Sequence, residues 1–123
     1  MAASLQTPIL KSLKIKTGAV KRLVREREVY ILEVEQQRDR IDKLHQKEGI
    51  DDADIRKQNE VLEETLQMIP YMERRIREAM QDLENLVLAA KKDGAEVPEL
   101  TDASDAVTAA KQALPDVRPV ASK

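Results

Sequence analysis

The sequence predicts an all-α protein: an elongated up-down-up three-helix bundle, with two long antiparallel helices and a shorter third. Three observations predict it. Apolar residues recur at seven-residue spacing through two long segments. Aromatic residues are only 2% of the chain, Tyr30 and Tyr71 with no Phe or Trp. A short break built around Gly49 separates the two long segments. A thin core between helices does without large aromatics, whereas a thick globular core usually holds several. The 36% charged content would suit disorder, but regular apolar spacing argues for folded helices.

The first segment runs from about Leu13 to Glu48. Val20, Arg27, Val34 and Ile41 recur every seven residues, each followed three positions on by Leu23, Tyr30, Gln37 and Leu44. That is one apolar seam on a charged helix, interrupted at Arg27, Gln37 and Arg38. At 1.5 Å per residue such a helix spans roughly 54 Å, so a rod is expected. Its start has two readings. Thr7-Pro8 suits an N-cap followed by Pro at the first helical position. Thr17-Gly18 suits a local break, since Gly costs about 1 kcal/mol inside a helix.

Gly49 suits the left-handed residue that ends a helix. Asp51 or Asp52 then caps the next one, with acidic Asp54 in its first turn. So short a connection makes the two helices antiparallel neighbours. The second segment is the most regular, with Ile55, Leu62, Ile69, Ile76, Leu83 and Ala90 in heptad register. Pro70 sits just off this stripe and removes the hydrogen bond to the Leu66 carbonyl, so a bend is expected there.

The third segment follows Gly94. Pro98 occupies its first turn, and Leu100, Ala103, Val107, Ala110 and Leu114 form a short apolar stripe before Pro115. The expected organisation is an N-terminal extension over residues 1–12, a bundle over 13–114 and a loose tail over 115–123. The helices are expected at about 13–48, 52–92 and 98–114.

Catalysis needs groups gathered in a concave, partly dry pocket, and thin helical layers offer little such volume. There is no phosphate-loop or dinucleotide motif and no nucleophile beside a base. The absence of Cys excludes a disulfide framework and any thiolate metal site, and His45 is the only histidine. No enzyme activity, metal or cofactor is expected. No stretch approaches the roughly 18 apolar residues of a membrane span, and the first residues lack the pattern of a secretion signal. These readings point to a soluble intracellular protein.

Charge is distributed unevenly despite a net value of −2. Lys11, Lys14, Lys16, Lys21, Arg22, Arg25 and Arg27 face only Glu26 over the same stretch, a local excess of six positive charges. Read from the residues, this is either a solvated helix face or a dock for an acidic partner. Two tyrosines are too few for a nucleic-acid stacking platform, so an acidic protein fits better. A second basic group is Arg74, Arg75 and Arg77, with Arg75 beside the apolar stripe, where its stem can cover the seam. The third segment is mostly acidic, with Glu96, Glu99, Asp102 and Asp105 against Lys111.

Three blocks resemble the tubulin-binding cofactor A family. Lys14-Ile15-Lys16-Thr17-Gly18-Ala19-Val20-Lys21-Arg22-Leu23 looks like its opening signature. Ile55-Arg56-Lys57-Gln58-Asn59-Glu60-Val61-Leu62-Glu63-Glu64 continues the resemblance. Met68-Ile69-Pro70, Arg74-Arg75, Ala79 and Asp82-Leu83 close it. Together the blocks cover roughly residues 13–87, while the Ala-rich third segment departs from the family's usual charge.

The resemblance implies a cytoplasmic, cytoskeleton-associated post-chaperonin chaperone that uses no nucleotide, cofactor or metal. Its fold would be a slightly curved three-helix bundle. It would capture β-tubulin and hold it until other tubulin-folding cofactors, its indirect partners, assemble the αβ-heterodimer. The expected contacts are outward-facing residues of the matching blocks: Lys14, Lys16, Lys21, Arg22, Lys57, Arg74 and Arg75. A structural coiled-coil spacer or dimerisation module is the alternative, and the apolar stripe leaves self-association open. A prefoldin-like holdase is a third reading, but its strands between the helices have no room in the Gly49 turn.

Overall fold

The computed structural model describes residues 7–115 of the chain. It contains three helices: α1 (Thr7–His45), α2 (Asp52–Lys92) and α3 (Pro98–Ala113). No strand occurs among the described residues. Residues 1–6 of the expected N-terminal extension and 116–123 of the expected tail lie outside them.

α1 starts six residues before the expected Leu13 and stops three short of Glu48. Pro8 stands in the first turn, where its missing N–H leaves no helical bond unmade. The helix passes through Gly18 without a break. The apolar seam was a poor guide to this start because the first turns carry few seam residues. At the other end, Gln46 N–H bonds the Lys43 carbonyl at 3.2 Å and Lys47 N–H that of Leu44 at 3.1 Å. These tighter i→i+3 bonds close the last turn, and Gly49 follows at φ +77°.

Asp51 is the residue that caps α2. Its Oδ1 accepts the Ala53 N–H at 3.1 Å, and its carbonyl accepts the Asp54 N–H at 3.0 Å. α2 then continues through Pro70. It ends in a Schellman closure around Gly94 at φ +79°, with Ala95 N–H bonded to the Ala90 carbonyl and Gly94 N–H to that of Lys91. Val97 opens α3 without a side-chain cap, and Pro98 takes its first position.

The chain divides into two compact units. One unit joins α1 up to Arg22 with the chain from Ile76 onward. Leu13 and Val20 are buried there with Ile76, Met80, Leu83, Val87 and Ala90 of α2 and with Leu100, Ala103, Ala106, Val107 and Ala110 of α3. Alanine at three of the five α3 positions lets this helix approach closely. Exposed or half-exposed ion pairs rim the core, Lys14–Glu99, Lys16–Asp82 and Lys111–Glu84.

The other unit, Leu23–Arg75, is the hairpin of α1 and α2 alone. Its core is thinner. Leu23, Val34, Ile41 and Met72 are buried, while Ile31, Leu62 and Ile69 are half-buried. With one partner helix each, the stripes cover only part of their width. Its seam also holds polar residues: Arg27 pairs with Glu73, and Gln37 bonds to Gln58. As position rises on α1 it falls on α2, which is the antiparallel register the short turn requires.

A candidate protein-docking surface

The seven expected contact residues fall into two groups, one in each unit. Lys14, Lys16, Lys21 and Arg22 stand on α1 in the first. Lys14 Nζ lies 3.7 Å from Glu99 Oε2, and Lys16 Nζ 4.0 Å from Asp82 Oδ2. Lys14 and Lys21 also line a small recess with Thr17, Gly18, Glu99 and Asp102. Thr17 is buried there, and its hydroxyl makes no hydrogen bond. The acidic α3 thus offsets part of the positive excess of α1. Such open pairs contribute little stability each, but they lower the charge offered to a partner.

Lys57, Arg74 and Arg75 stand on α2 in the second unit, and Lys57 and Arg75 share a face. Five helical turns separate them, and the positions between that fall on the same face are Val61, Glu64, Met68 and Tyr71. Val61 is 40% and Tyr71 42% exposed, large values for apolar side chains; Met68 is half-buried. The Tyr71 ring has the Arg75 guanidinium 5.7 Å and the Arg74 guanidinium 6.0 Å from its centroid. These are cation–π distances. Arg75 therefore holds its guanidinium against an exposed ring. Among the described residues, Lys57, Arg74 and Arg75 make no ion pair, in contrast to Lys14 and Lys16.

Sequence reasoning missed Val61, Met68 and Tyr71 as members of this surface. Their signal was present as a second stripe spaced +4, +3, +4, +3, +4 from Lys57. It runs beside the buried heptad and is weaker than it. No group of three or more His, Cys, Asp or Glu side chains is placed to hold a metal ion among the described residues. No helix among them is long and apolar enough to cross a membrane.

The family model for tubulin binding cofactor A matches residues 8–107, spanning both groups and most of α3. The chain belongs to the tubulin-binding cofactor A family. The human tubulin-specific chaperone A is 42% identical over 96 residues, covering 78% of this chain and 87% of that protein. The crystal structure of tubulin folding cofactor A from Arabidopsis thaliana superposes with a TM-score of 0.77 at 31% identity, covering 87% of this chain and 99% of that one. A solved structure described as a β-tubulin binding post-chaperonin cofactor has a TM-score of 0.68 at 34% identity, covering 82% of this chain and 95% of that one. The similarity to cofactor A structures therefore includes α3, whose Ala-rich sequence departs most from the charged pattern expected of the family.

Proposed function

We propose that this chain is a post-chaperonin tubulin-folding cofactor that captures and stabilises β-tubulin for assembly of the αβ-heterodimer. The supporting observation is its membership of the cofactor A family, together with its likeness to the β-tubulin binding cofactor over nearly the whole of that chain. The site of action is the cytoplasm. The mechanism is equilibrium capture: binding one folded state of a labile protein withdraws it from aggregation by mass action. No bond is made or broken, so the helices supply a surface and no catalytic group.

Lys14, Lys16, Lys21, Arg22, Lys57, Arg74 and Arg75 are the proposed charge-assisted contacts to an acidic β-tubulin surface. Cations on both units steer association and make its rate fall with added salt. The test is co-elution of the purified chain with β-tubulin on a sizing column, run beside α-tubulin and an unrelated unfolded protein. Selective capture of β-tubulin is expected. Capture of none of the three would point to the spacer module, and capture of all three to a general holdase.

A further inference from the structure

We propose, building on the β-tubulin reading, that the outer stripe Lys57–Val61–Glu64–Met68–Tyr71–Arg75 of α2 is the docking face. Its occupant is an amphipathic helix of β-tubulin with acidic residues at both ends of its apolar stripe. All six positions lie in one compact unit and on one helix face. Single exposed apolar side chains are ordinary on a protein surface. Here exposed Val61 and Tyr71 stand with half-buried Met68 in helical register, seven and three residues apart, which is the spacing by which one helix anchors another.

The ends of the stripe define the occupant. Lys57 and Arg75 are eighteen residues apart in the sequence, about 27 Å along the helix axis. Between them the order of chemistry is cation, apolar, carboxylate, apolar, aromatic, cation. The complement is a helix of about five turns with an acidic residue near each end and a basic residue opposite Glu64. Among the described residues neither Lys57 nor Glu64 makes an ion pair, so both remain available for that role. The Tyr71 ring is already held beside Arg74 and Arg75, which lowers the cost of ordering these long side chains on binding.

The other exposed apolar pair in this unit fits an acidic partner poorly. Val29 and Leu32 on α1 stand beside Glu28 and Glu33, which would repel it. Ile15 and Leu88, on the other unit, are separate exposed positions on different helices. The α2 stripe is thus the place where exposed apolar surface and unpaired positive charge coincide.

The experiment measures Kd between the full chain and purified β-tubulin, with helicity of each variant checked by circular dichroism. Val61→Glu with Tyr71→Glu places acids on the exposed stripe without touching the core, and should weaken binding at least tenfold. Lys57→Glu with Arg75→Glu should do the same, while Tyr71→Phe, which keeps the ring, should bind like the parent. Val29→Glu with Leu32→Glu is the control on α1 and should leave Kd unchanged. Parent-like affinity in both stripe variants, or an equal loss in the α1 control, overturns the stripe while leaving the β-tubulin reading intact. Failure of the unaltered chain to bind β-tubulin overturns that reading, and the stripe with it.

Discussion

Arg27 on α1 holds Glu73 on α2 through two nitrogens at once. Nε and Nη2 each lie 2.8 Å from Glu73 Oε2, and both side chains are only 14% exposed. Sheltered from water, this contact is sensitive to loss of one partner. Glu73→Ala leaves the guanidinium partly buried without its carboxylate and should cost about 1–3 kcal/mol in urea denaturation. Replacing both residues by apolar ones, Arg27→Met with Glu73→Leu, should be close to neutral because no charge is left stranded. A double variant as unstable as the single one would show that the charges, and not the packing of the stems, carry the contact.

Gln37 sits in the same seam at 3% exposure. Its amide nitrogen donates to the Gln58 carbonyl at 2.9 Å and to Gln58 Oε1 at 2.8 Å, and its own oxygen accepts from Arg40 Nη1 at 3.0 Å. Gln37→Ala removes all three bonds and opens a gap in the seam. It should lower stability by about 1–3 kcal/mol. Gln37→Leu refills the volume but strands Gln58 Oε1, so it should recover only part of the loss. Thermal unfolding of both variants beside the parent checks the order.

Arg27 and Gln37 also mark the limit of what the sequence discloses. Buried Val20, Leu23, Val34, Ile41, Ile76 and Leu83 are legible because helical spacing alone decides which residues share a face. Gly49 is legible, and the cap is legible to within Asp51 or Asp52, because a left-handed turn and a cap each demand particular residue types. Arg27 and Gln37 read as defects in the seam, since their compensation lies 46 and 21 residues away on another helix. Lys14 and Lys16 read as unopposed positive charge for the same reason, with Glu99 and Asp82 far along the chain. The Val61–Tyr71 stripe was hidden differently. Both apolar registers of α2 are helical, and only exposure tells which one faces solvent.

Two glycines should respond oppositely to alanine. Gly18 lies inside α1, and nothing stands within 4 Å of an added Cβ. Gly18→Ala should raise stability by about 1 kcal/mol through helix propensity alone. Gly49 has equal space around it, but its φ is +77°. Gly49→Ala should therefore lower stability by about 1–2 kcal/mol through backbone strain, with no steric component. Urea midpoints moving in the same direction would sink this assignment of causes.

Pro70 is exposed in the interior of α2, so its replacement disturbs no core contact. Proline there lacks the N–H for the Leu66 carbonyl and crowds that turn, a penalty of about 3 kcal/mol against alanine. Alanine also frees the unfolded chain, which offsets up to about 1 kcal/mol of the gain. Pro70→Ala should thus stabilise the protein by about 2 kcal/mol and raise its melting temperature. The same change lies between Met68 and Tyr71 of the docking stripe, so any change of backbone path at this turn would shift both anchors. A variant that melts higher yet binds β-tubulin more weakly is the expected outcome. It would mean that Pro70 trades helix stability for the path of the binding face. Higher stability with unchanged Kd would separate the proline from binding, and lower stability would show that the surrounding packing requires the backbone path proline imposes.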